Sequence, residues 1–176
     1  KVRIFLFQSG VFVPAEGTWT IDFHRISGST TGRIDAWMVG DKFVFSPVTG
    51  RPAFTSHMDA THIIRSPATA NNVIGVGAYT SKTLWTNGTG GTSFYPGASA
   101  IGEIAQFSAV GPRRDEVLRP DVTAPGQGSM AALGTDVITS TTWQDIDTVH
   151  RINRGTAQAA AHVAGLLAIL LEFDPE

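Results

Sequence analysis

The stretch that decides the fold runs from Arg154 to Leu171 in a chain of 176 residues and reads RGTAQAAAHVAGLLAILL. Alanine and leucine favour helix strongly and no proline interrupts the run, so the stretch predicts a helix from Ala157 onward. Its residues are small or apolar on nearly every face, which indicates a helix buried on all sides. It is too short for a membrane span, which needs ~20 apolar residues, and Gln158 and His162 interrupt it.

The start of this predicted helix is unusually rich in small side chains, with alanine at positions 157, 159, 160 and 161. A plain core helix would use larger side chains to fill space. Small residues instead let other backbone come close to the first turn. The amide groups of that turn have no partner inside the helix and lie at the positive end of its dipole, so they can hold an anion.

Residues 155–165, GTAQAAAHVAG, resemble the nucleophile segment of the subtilisin-like serine peptidases, or subtilases, whose usual form is Gly-Thr-Ser-Met-Ala-x-Pro-His-Val-Ala-Gly. The positions that match are Gly155, Thr156, Ala159, His162, Val163, Ala164 and Gly165. Gln158 replaces the usual Met and Ala161 the usual Pro, and both changes are tolerable in a helix. Ala157 stands where the family has its nucleophilic Ser, which removes the chemistry.

Three further segments resemble subtilase motifs, and they occur in the family's order. Residues 66–78, SPATANNVIGVGA, resemble Pro-Ala-x-x-x-x-Val-Ile-x-Val-Gly-Ala. Residues 107–112, FSAVGP, resemble Phe-Ser-x-x-Gly-Pro, and residues 119–126, RPDVTAPG, resemble Lys/Arg-Pro-Asp-Val-x-Ala-Pro-Gly. Together the four motifs cover roughly residues 66–171, so chance is a poor explanation.

The resemblance implies an α/β fold with a largely parallel sheet and a buried central helix. Residues 66–176 would form the C-terminal part of the catalytic domain, and residues 46–65 a connection. Residues 1–45 contain short alternating runs separated by polar turns, which predict an antiparallel β module with strands near 2–7, 18–26, 33–39 and 42–45. That module is similar to the end of a jelly-roll-like insertion found in some large subtilases.

Within and between the motifs, the sequence makes four local predictions. The apolar run 73–79 predicts a strand covered on both faces, as in a parallel sheet. Residues 80–97, rich in Gly, Thr and Ser, predict a surface loop. The prolines and glycine of residues 119–126 predict a turn, and residues 137–142 predict a short strand before the final helix.

The resemblance implies a serine endopeptidase that hydrolyses peptide bonds through an acyl-enzyme, in the chain order Asp, His, Ser. The family's Asp-Ser/Thr-Gly, His-Gly-Thr-His and Ala-Gly-Asn segments do not occur in this sequence. What remains is the backbone N–H of Ala157, which is half of the family's oxyanion hole. Gly155, Thr156 and His162 are implied to support the motif structurally. The chain as written is therefore expected to be inactive.

Two explanations for Ala157 stay open. One is deliberate replacement of the serine, which we favour because the flanking motif is largely intact. The other is a natural pseudopeptidase that binds a peptide, a propeptide or a partner peptidase. A third class, a purely structural β-rich secreted module, leaves the four motifs unexplained.

The composition points to a globular protein without a nucleic-acid or membrane partner. The formal net charge is −2, and hydrophobic residues make up 42% of the chain. There is no cysteine, which excludes disulfides and thiolate metal sites. The chain begins at Lys1 in a strand-like run, so we expect a piece of a longer protein. Its expected partners are the missing N-terminal half of the catalytic domain and a propeptide or peptide substrate, and the family implies a secreted or cell-surface location.

Other candidate sites have simpler structural readings, which we favour. His57 and His62 have a spacing that could suggest a metal, but no third ligand is near in sequence. Asp145 and Asp147 could hold a structural calcium, but a solvated loop is the simpler reading. Trp19 and Trp37 could form a carbohydrate platform, but core packing is favoured. We expect no cofactor.

Overall fold

The computed structural model describes residues 20–24, 26–28, 34–36, 56, 59 and 61–174. The chain divides into two units, Lys1–Trp37 and Met38–Glu176. The helix and strands of the described residues lie in the second unit. In chain order they are β1 (Val76–Thr80), β2 (Leu84–Thr86), β3 (Thr92–Phe94), β4 (Val122–Ala132), β5 (His150–Arg154) and α1 (Thr156–Phe173).

The main sheet of the described chain has the strand order β1-β4-β5. β1 runs parallel to β4, with Ala78 opposite Ala124. β5 returns antiparallel to β4 and leads directly into α1, which packs against β1 and β4. The predicted α/β class is confirmed by this parallel pair and its helix. The sheet is mixed, because residues 133–149 reverse the chain and β5 then pairs antiparallel with β4, beside the parallel pair.

The core between helix and sheet is made almost entirely of alanine. Its buried members are Ala78, Ala105, Ala124, Ala159 and Val163. Gly126 continues this pattern in β4, since a Cβ built there would lie 2.3 Å from the Cβ of Ala78. Side chains this small bring α1 close to the strands, as its alanine-rich start predicts. The close packing fixes where the helix begins relative to β4.

The expectation that α1 is buried on all sides is wrong for the described chain. Its buried residues are Ala159 and Val163. Leu166, Ile169 and Leu170 are more than half exposed, and Phe173 is 83% exposed. The physical reason is that the sheet covers one side of the helix, and no other described element covers the opposite side.

Residues 80–97 are more ordered than the predicted surface loop. They contain the antiparallel hairpin β2–β3, with Trp85 opposite Ser93. Trp85 of β2 and Tyr95, which follows β3, are buried with only 5% and 4% of their surface exposed. Together with Ile152 they form a second core. The prediction is wrong because the Gly, Thr and Ser residues of this segment are typical of loops, while the aromatic residues between them favour a packed hairpin.

The turn predicted at residues 119–126 is replaced by the start of β4. Pro125 lies inside this central strand and pairs with Tyr79. A proline cannot donate a ladder hydrogen bond and is tolerated in sheets chiefly at edges and bulges. Here the register shifts next to it, between Tyr79 and Thr80 and again between Gln127 and Ser129. The irregular register lets an extended strand accommodate the proline.

The strand predicted at residues 137–142 is also absent from the structure, in which β5 takes the place before the helix. Ile138 is fully exposed and Val137 is half exposed. A run of this kind becomes a strand only where it pairs with a neighbouring strand, and in the described chain these residues pair with none. The carbonyl of Thr141 accepts a single backbone hydrogen bond from Gly88, which lies outside the strands.

In the first unit, residues 20–24 and 34–36 fall within two of the predicted strands but are not assigned to a strand. Ile21, Phe23 and Ile34 are exposed. The alternating pattern is therefore not sufficient to form a ladder in these segments. The strands predicted at 2–7 and 42–45, together with Trp19, Trp37 and His57, lie outside the described residues.

Candidate active site

The start of α1 is held in place by backbone contacts that depend on glycine. Gly155 has φ 150° and ψ 154°, a conformation that is essentially restricted to glycine. Its N–H donates a 2.7 Å hydrogen bond to the carbonyl of Gly126 in β4. The turn from β5 into the helix is therefore fixed to the neighbouring strand. Gly155 has a structural reason to occupy this position of the motif.

Ala157 is the second residue of α1 and is exposed. The helix has no side-chain N-cap and no acidic residue in its first turn. Amide groups in the first turn have no acceptor inside the helix and point away from its start. The methyl group of Ala157 thus lies at an open helix N-terminus, next to N–H groups that can hold a negatively charged oxygen. Thr156, the first helical residue, is half-buried.

His162 lies five residues after Ala157, about 140° further around the helix. Its Nδ1 donates a hydrogen bond of 2.9 Å to the carbonyl of Gln158, one turn earlier in the same helix. This bond holds the imidazole against its own helix. A general base must reach the proton of the nucleophile, and His162 is instead held against its own helix on a different side from Ala157. This geometry fits the supporting role that the motif implies.

The described residues contain an Asp–His pair, but it lies far from Ala157. His150 Nδ1 is 2.5 Å from Asp147 Oδ2. The imidazole, together with the N–H groups of Val149 and His150, lowers the pKa of Asp147 below its ordinary value. His150 is at the opposite end of β5 from Arg154, so the strand separates the pair from the helix start by about 13 Å. This pair is therefore not the base of a triad with residue 157.

An aromatic cluster supports the strand that delivers the helix. Trp85, Tyr95 and Trp143 pack with ring centroids 4.9 to 5.6 Å apart. The guanidinium of Arg154 lies over Tyr95, with Cζ 5.1 Å from the ring centroid. Burial raises the pKa of Tyr95 to about 12 although Arg154 and Arg151 oppose the shift. The residue just before Gly155 is thus held by stacking as well as by the sheet.

The candidate metal ligands that the structure describes are His62, Asp145 and Asp147, since His57 lies outside the described residues. Among the described residues, no group of three or more His, Asp or Glu side chains is arranged to hold a metal ion. His62 instead contacts the hydroxyl of Thr61, and its Nε2 lies 3.3 Å from a carboxylate oxygen of Glu116. The carboxylate of Asp147 is hydrogen-bonded to the imidazole of His150. That Asp145 and Asp147 belong to a solvated loop, the reading favoured over a calcium site, stays a prediction.

A cavity of about 530 Å³ opens beside the helix start. Its lining includes Ile63, Arg65, Pro67, Phe107, Arg119 and Thr156. Sequence reasoning missed this cavity, because its walls come from five separate segments of the chain. Arg119 could have been found, since it opens the recognised segment 119–126 and arginine is rarely buried without a partner.

The comparison with known families agrees with this geometry. Residues 40–176 match the family model described as "Subtilase family".

The chain belongs to the subtilase family.

Two relatives show how the match is distributed. The chain is 39% identical to subtilisin-like protease SBT4.10 of Arabidopsis thaliana over 77 residues, which is 42% of this chain and 11% of that protein. It is 31% identical to pyrolysin of Pyrococcus furiosus over 124 residues, 62% of this chain and 8% of that protein. The subtilase chain thus spans about a tenth of the length of these relatives. No solved structure matches it.

Proposed function

We propose that the parent protein is a serine endopeptidase, and that residue 157 is the position of its nucleophile. The single observation that carries this proposal is the exposed small residue at the start of α1, fixed by Gly155 against β4. Membership of the subtilase family supports it. A nucleophile at this position would have open access to a peptide bond and N–H groups beside it.

In the proposed reaction, a serine hydroxyl at position 157 attacks the carbonyl carbon of the peptide bond. An upstream histidine, oriented by an aspartate, takes the hydroxyl proton and passes it to the leaving amine. Water then attacks the acyl-enzyme, and the serine regains its proton. The N–H of residue 157 would donate to the developing oxyanion, and the positive end of the helix dipole would favour the same charge.

The methyl group of Ala157 cannot form the acyl-enzyme, so we propose that the chain is inactive as written. Deliberate replacement of serine and a natural pseudopeptidase both account for the alanine. They differ in one respect, since only the first requires that the natural gene encode serine at position 157.

The test uses the full-length parent protein with Ala157→Ser. We expect labelling by a fluorophosphonate probe and hydrolysis of casein, because the probe reacts with an activated serine hydroxyl. Ala160→Ser is the matched control: it places a hydroxyl at another exposed position of the same helix, and should not be labelled. If Ala157→Ser gives neither labelling nor hydrolysis, the peptidase proposal is overturned and the binding alternative gains.

We further propose that the exposed apolar side of α1 is covered by the upstream half of the catalytic domain. The expectation that this stretch is too short for a membrane span is wrong, because α1 is long and apolar enough to cross a membrane. Core helices of soluble proteins can have the same length and composition, so this is weak evidence for a membrane location. Gln158, His162 and Glu172 along the helix favour a protein partner over a lipid one. We also propose that the parent protein binds a propeptide or a peptide substrate, and that it is secreted or located at the cell surface.

A further inference from the structure

The turn that joins β2 to β3 contains the sequence Asn-Gly-Thr at residues 87–89. An asparagine followed two residues later by Ser or Thr, with any residue except proline between them, is the acceptor sequence for N-linked oligosaccharides in secreted proteins. The other asparagines of the sequence are followed at that second position by Val, Ile and Gly; they are Asn71, Asn72 and Asn153. Asn87 is therefore the only asparagine of this sequence with the acceptor pattern.

The fold places this sequence at the surface of the second unit. Two backbone hydrogen bonds of 2.8 Å close the turn, from the N–H of Asn87 to the carbonyl of Gly91 and from the N–H of Gly90 to the carbonyl of Asn87. Thr89, Gly90 and Gly91 are exposed, and Asn87 is half-buried. A Cβ built on Gly90 would meet nothing within 4 Å. In the described chain, the turn is therefore open to solvent and to an enzyme that modifies it.

The side-chain amide of Asn87 has a hydrogen left for a new bond. Its Oδ1 accepts three hydrogen bonds, from the N–H of Thr89 at 3.0 Å, the hydroxyl of Thr89 at 2.7 Å and the N–H of Gly91 at 3.1 Å. Its Nδ2 donates to the hydroxyl oxygen of Ser93 at 2.9 Å. A carboxamide nitrogen carries two hydrogens, and the second has no acceptor among the described residues. A sugar can replace that hydrogen while the bond to Ser93 is kept.

A structural role in the turn accounts for only part of this arrangement. Asparagine is common in turns because its side-chain oxygen accepts hydrogen bonds from backbone N–H groups two residues on. Oδ1 of Asn87 does this, but the carboxylate of an aspartate would accept the same hydrogen bonds. A test of the acceptor role therefore has to keep the oxygen and change the nitrogen.

We propose that Asn87 is a site of N-linked glycosylation in the parent protein. The inference rests on the secreted or cell-surface location proposed above, because the sugar donor is encountered during secretion. In the reaction, Nδ2 of Asn87 forms a bond to the anomeric carbon of a lipid-linked oligosaccharide diphosphate. The bond between that carbon and the diphosphate oxygen breaks, the lipid diphosphate leaves, and the amide releases one proton. Thr89 supplies the hydroxyl that the acceptor sequence requires.

The test uses the full-length parent protein, with Ala157 unchanged, directed to the secretory pathway of a eukaryotic cell. We expect peptide N-glycosidase to shift its electrophoretic mobility by the equivalent of one glycan. The enzyme converts a glycosylated asparagine to aspartate, so peptide mass spectrometry should find aspartate at position 87 after the treatment. Without the treatment, the same peptide should carry the glycan.

Asn87→Asp should abolish the shift while keeping the oxygen that closes the turn. Thr89→Ala should abolish it by removing the hydroxyl, and Thr89→Ser should keep it because the hydroxyl remains. Asn72→Gln is the matched control, since it changes an exposed asparagine without the acceptor pattern, and should leave the shift unchanged. The inference is overturned by an unshifted parent protein in cells whose other secreted proteins are shifted, or by a shift that survives both Asn87→Asp and Thr89→Ala.

Failure of this inference and failure of the proposed function are distinguishable. A glycan on Asn87 without fluorophosphonate labelling of Ala157→Ser supports the modification site and overturns the peptidase proposal. Labelling of a protein that carries no glycan at Asn87 does the reverse. The location is tested separately with the natural N-terminus of the parent protein: if the protein then stays in the cytosol, the proposed location is overturned, and the inference with it.

Discussion

At the scale of the residue, the candidate site depends on positions where no side chain fits. Gly155 has a backbone conformation that other residues rarely adopt, and Gly126 faces both Ala78 and the carbonyl of Gly155. These two glycines bring β4 and the helix start within hydrogen-bonding distance. The sequence shows both glycines as motif positions, but only the structure shows that they contact each other through a backbone hydrogen bond.

Gly126→Ala should destabilise the parent protein by about 1–3 kcal/mol, the usual cost of overpacking. The added Cβ would lie 2.3 Å from the Cβ of Ala78 and 3.1 Å from the carbonyl oxygen of Gly155. Chemical denaturation measures the effect. Gly165→Ala is the matched control, since a Cβ there meets nothing within 4 Å. It should stabilise the helix by up to about 1 kcal/mol. Equal effects of the two changes would contradict the close packing.

Tyr95 should ionise late, near pH 12, because burial disfavours its phenolate. The folded state holds this proton more tightly than the unfolded state does. Its contribution to stability is therefore complete below the ordinary pKa of 10.0 and is lost as the pH rises towards 12. Near-ultraviolet titration of the protein minus its Tyr95→Phe variant isolates this phenolate from Tyr79. A transition close to pH 10 would show that Tyr95 is exposed to water.

At the scale of the element, the β2–β3 hairpin anchors the strand that leads to the site. Trp85 donates its indole N–H to the carbonyl of Thr142 at 2.9 Å, and Trp143 accepts a backbone hydrogen bond from Ile152 at 2.8 Å. The hairpin, the loop before β5 and β5 itself therefore form one packed group. Isolated two-stranded hairpins are at best marginally stable in water, so this contact is what keeps β2 and β3 ordered.

Trp85→Ala should cost about 3–5 kcal/mol, because it leaves a cavity in this cluster and an unpaired carbonyl at Thr142. Leu84→Ala is the control on the same strand, with a side chain that is 59% exposed, and should change stability by less than about 1 kcal/mol. Denaturation of the two variants compares them directly. A similar loss in both would mean that the aromatic packing does not stabilise the hairpin.

At the scale of the whole molecule, the described chain leaves a large apolar surface on α1. Residues from Leu166 to Phe173 that face away from the sheet are more than half exposed. Soluble monomers rarely expose a continuous apolar patch of this kind unless it is an interaction surface. The proposed upstream half of the domain would cover it.

The 176-residue chain, expressed alone, should therefore self-associate or be poorly soluble. Replacing Leu166 and Leu170 by Gln should reduce the association, because it removes apolar side chains from the exposed face. Leu118→Gln is the control, an 81% exposed leucine outside α1, and should leave association unchanged. Light scattering measures the molar mass of each protein in solution and so reports its association. A monodisperse monomer of the unchanged chain would contradict this expectation.

Several features follow from the sequence alone. Contiguous segments of the sequence are enough to recognise the helix from about residue 157, the glycine before it, the α/β class and the family. The reason is physical: helix propensity, glycine-only backbone and short motifs act over a few neighbouring residues. The apolar run at 73–79 likewise predicted a strand in a parallel pair, and β1 confirms it from Val76 onward, whereas Val73 and Ile74 are exposed and precede the strand.

Other features were decided only by the tertiary structure. Whether Ile138 forms a strand, whether Trp85 is buried and whether α1 is covered all depend on partners far away in the chain. The cavity beside Thr156 brings together residues from positions 63 to 156, and no local pattern signals such an assembly. Burial is a property of the neighbours that a residue meets in space, so a periodic apolar pattern indicates a face suited to packing while the fold determines what covers it.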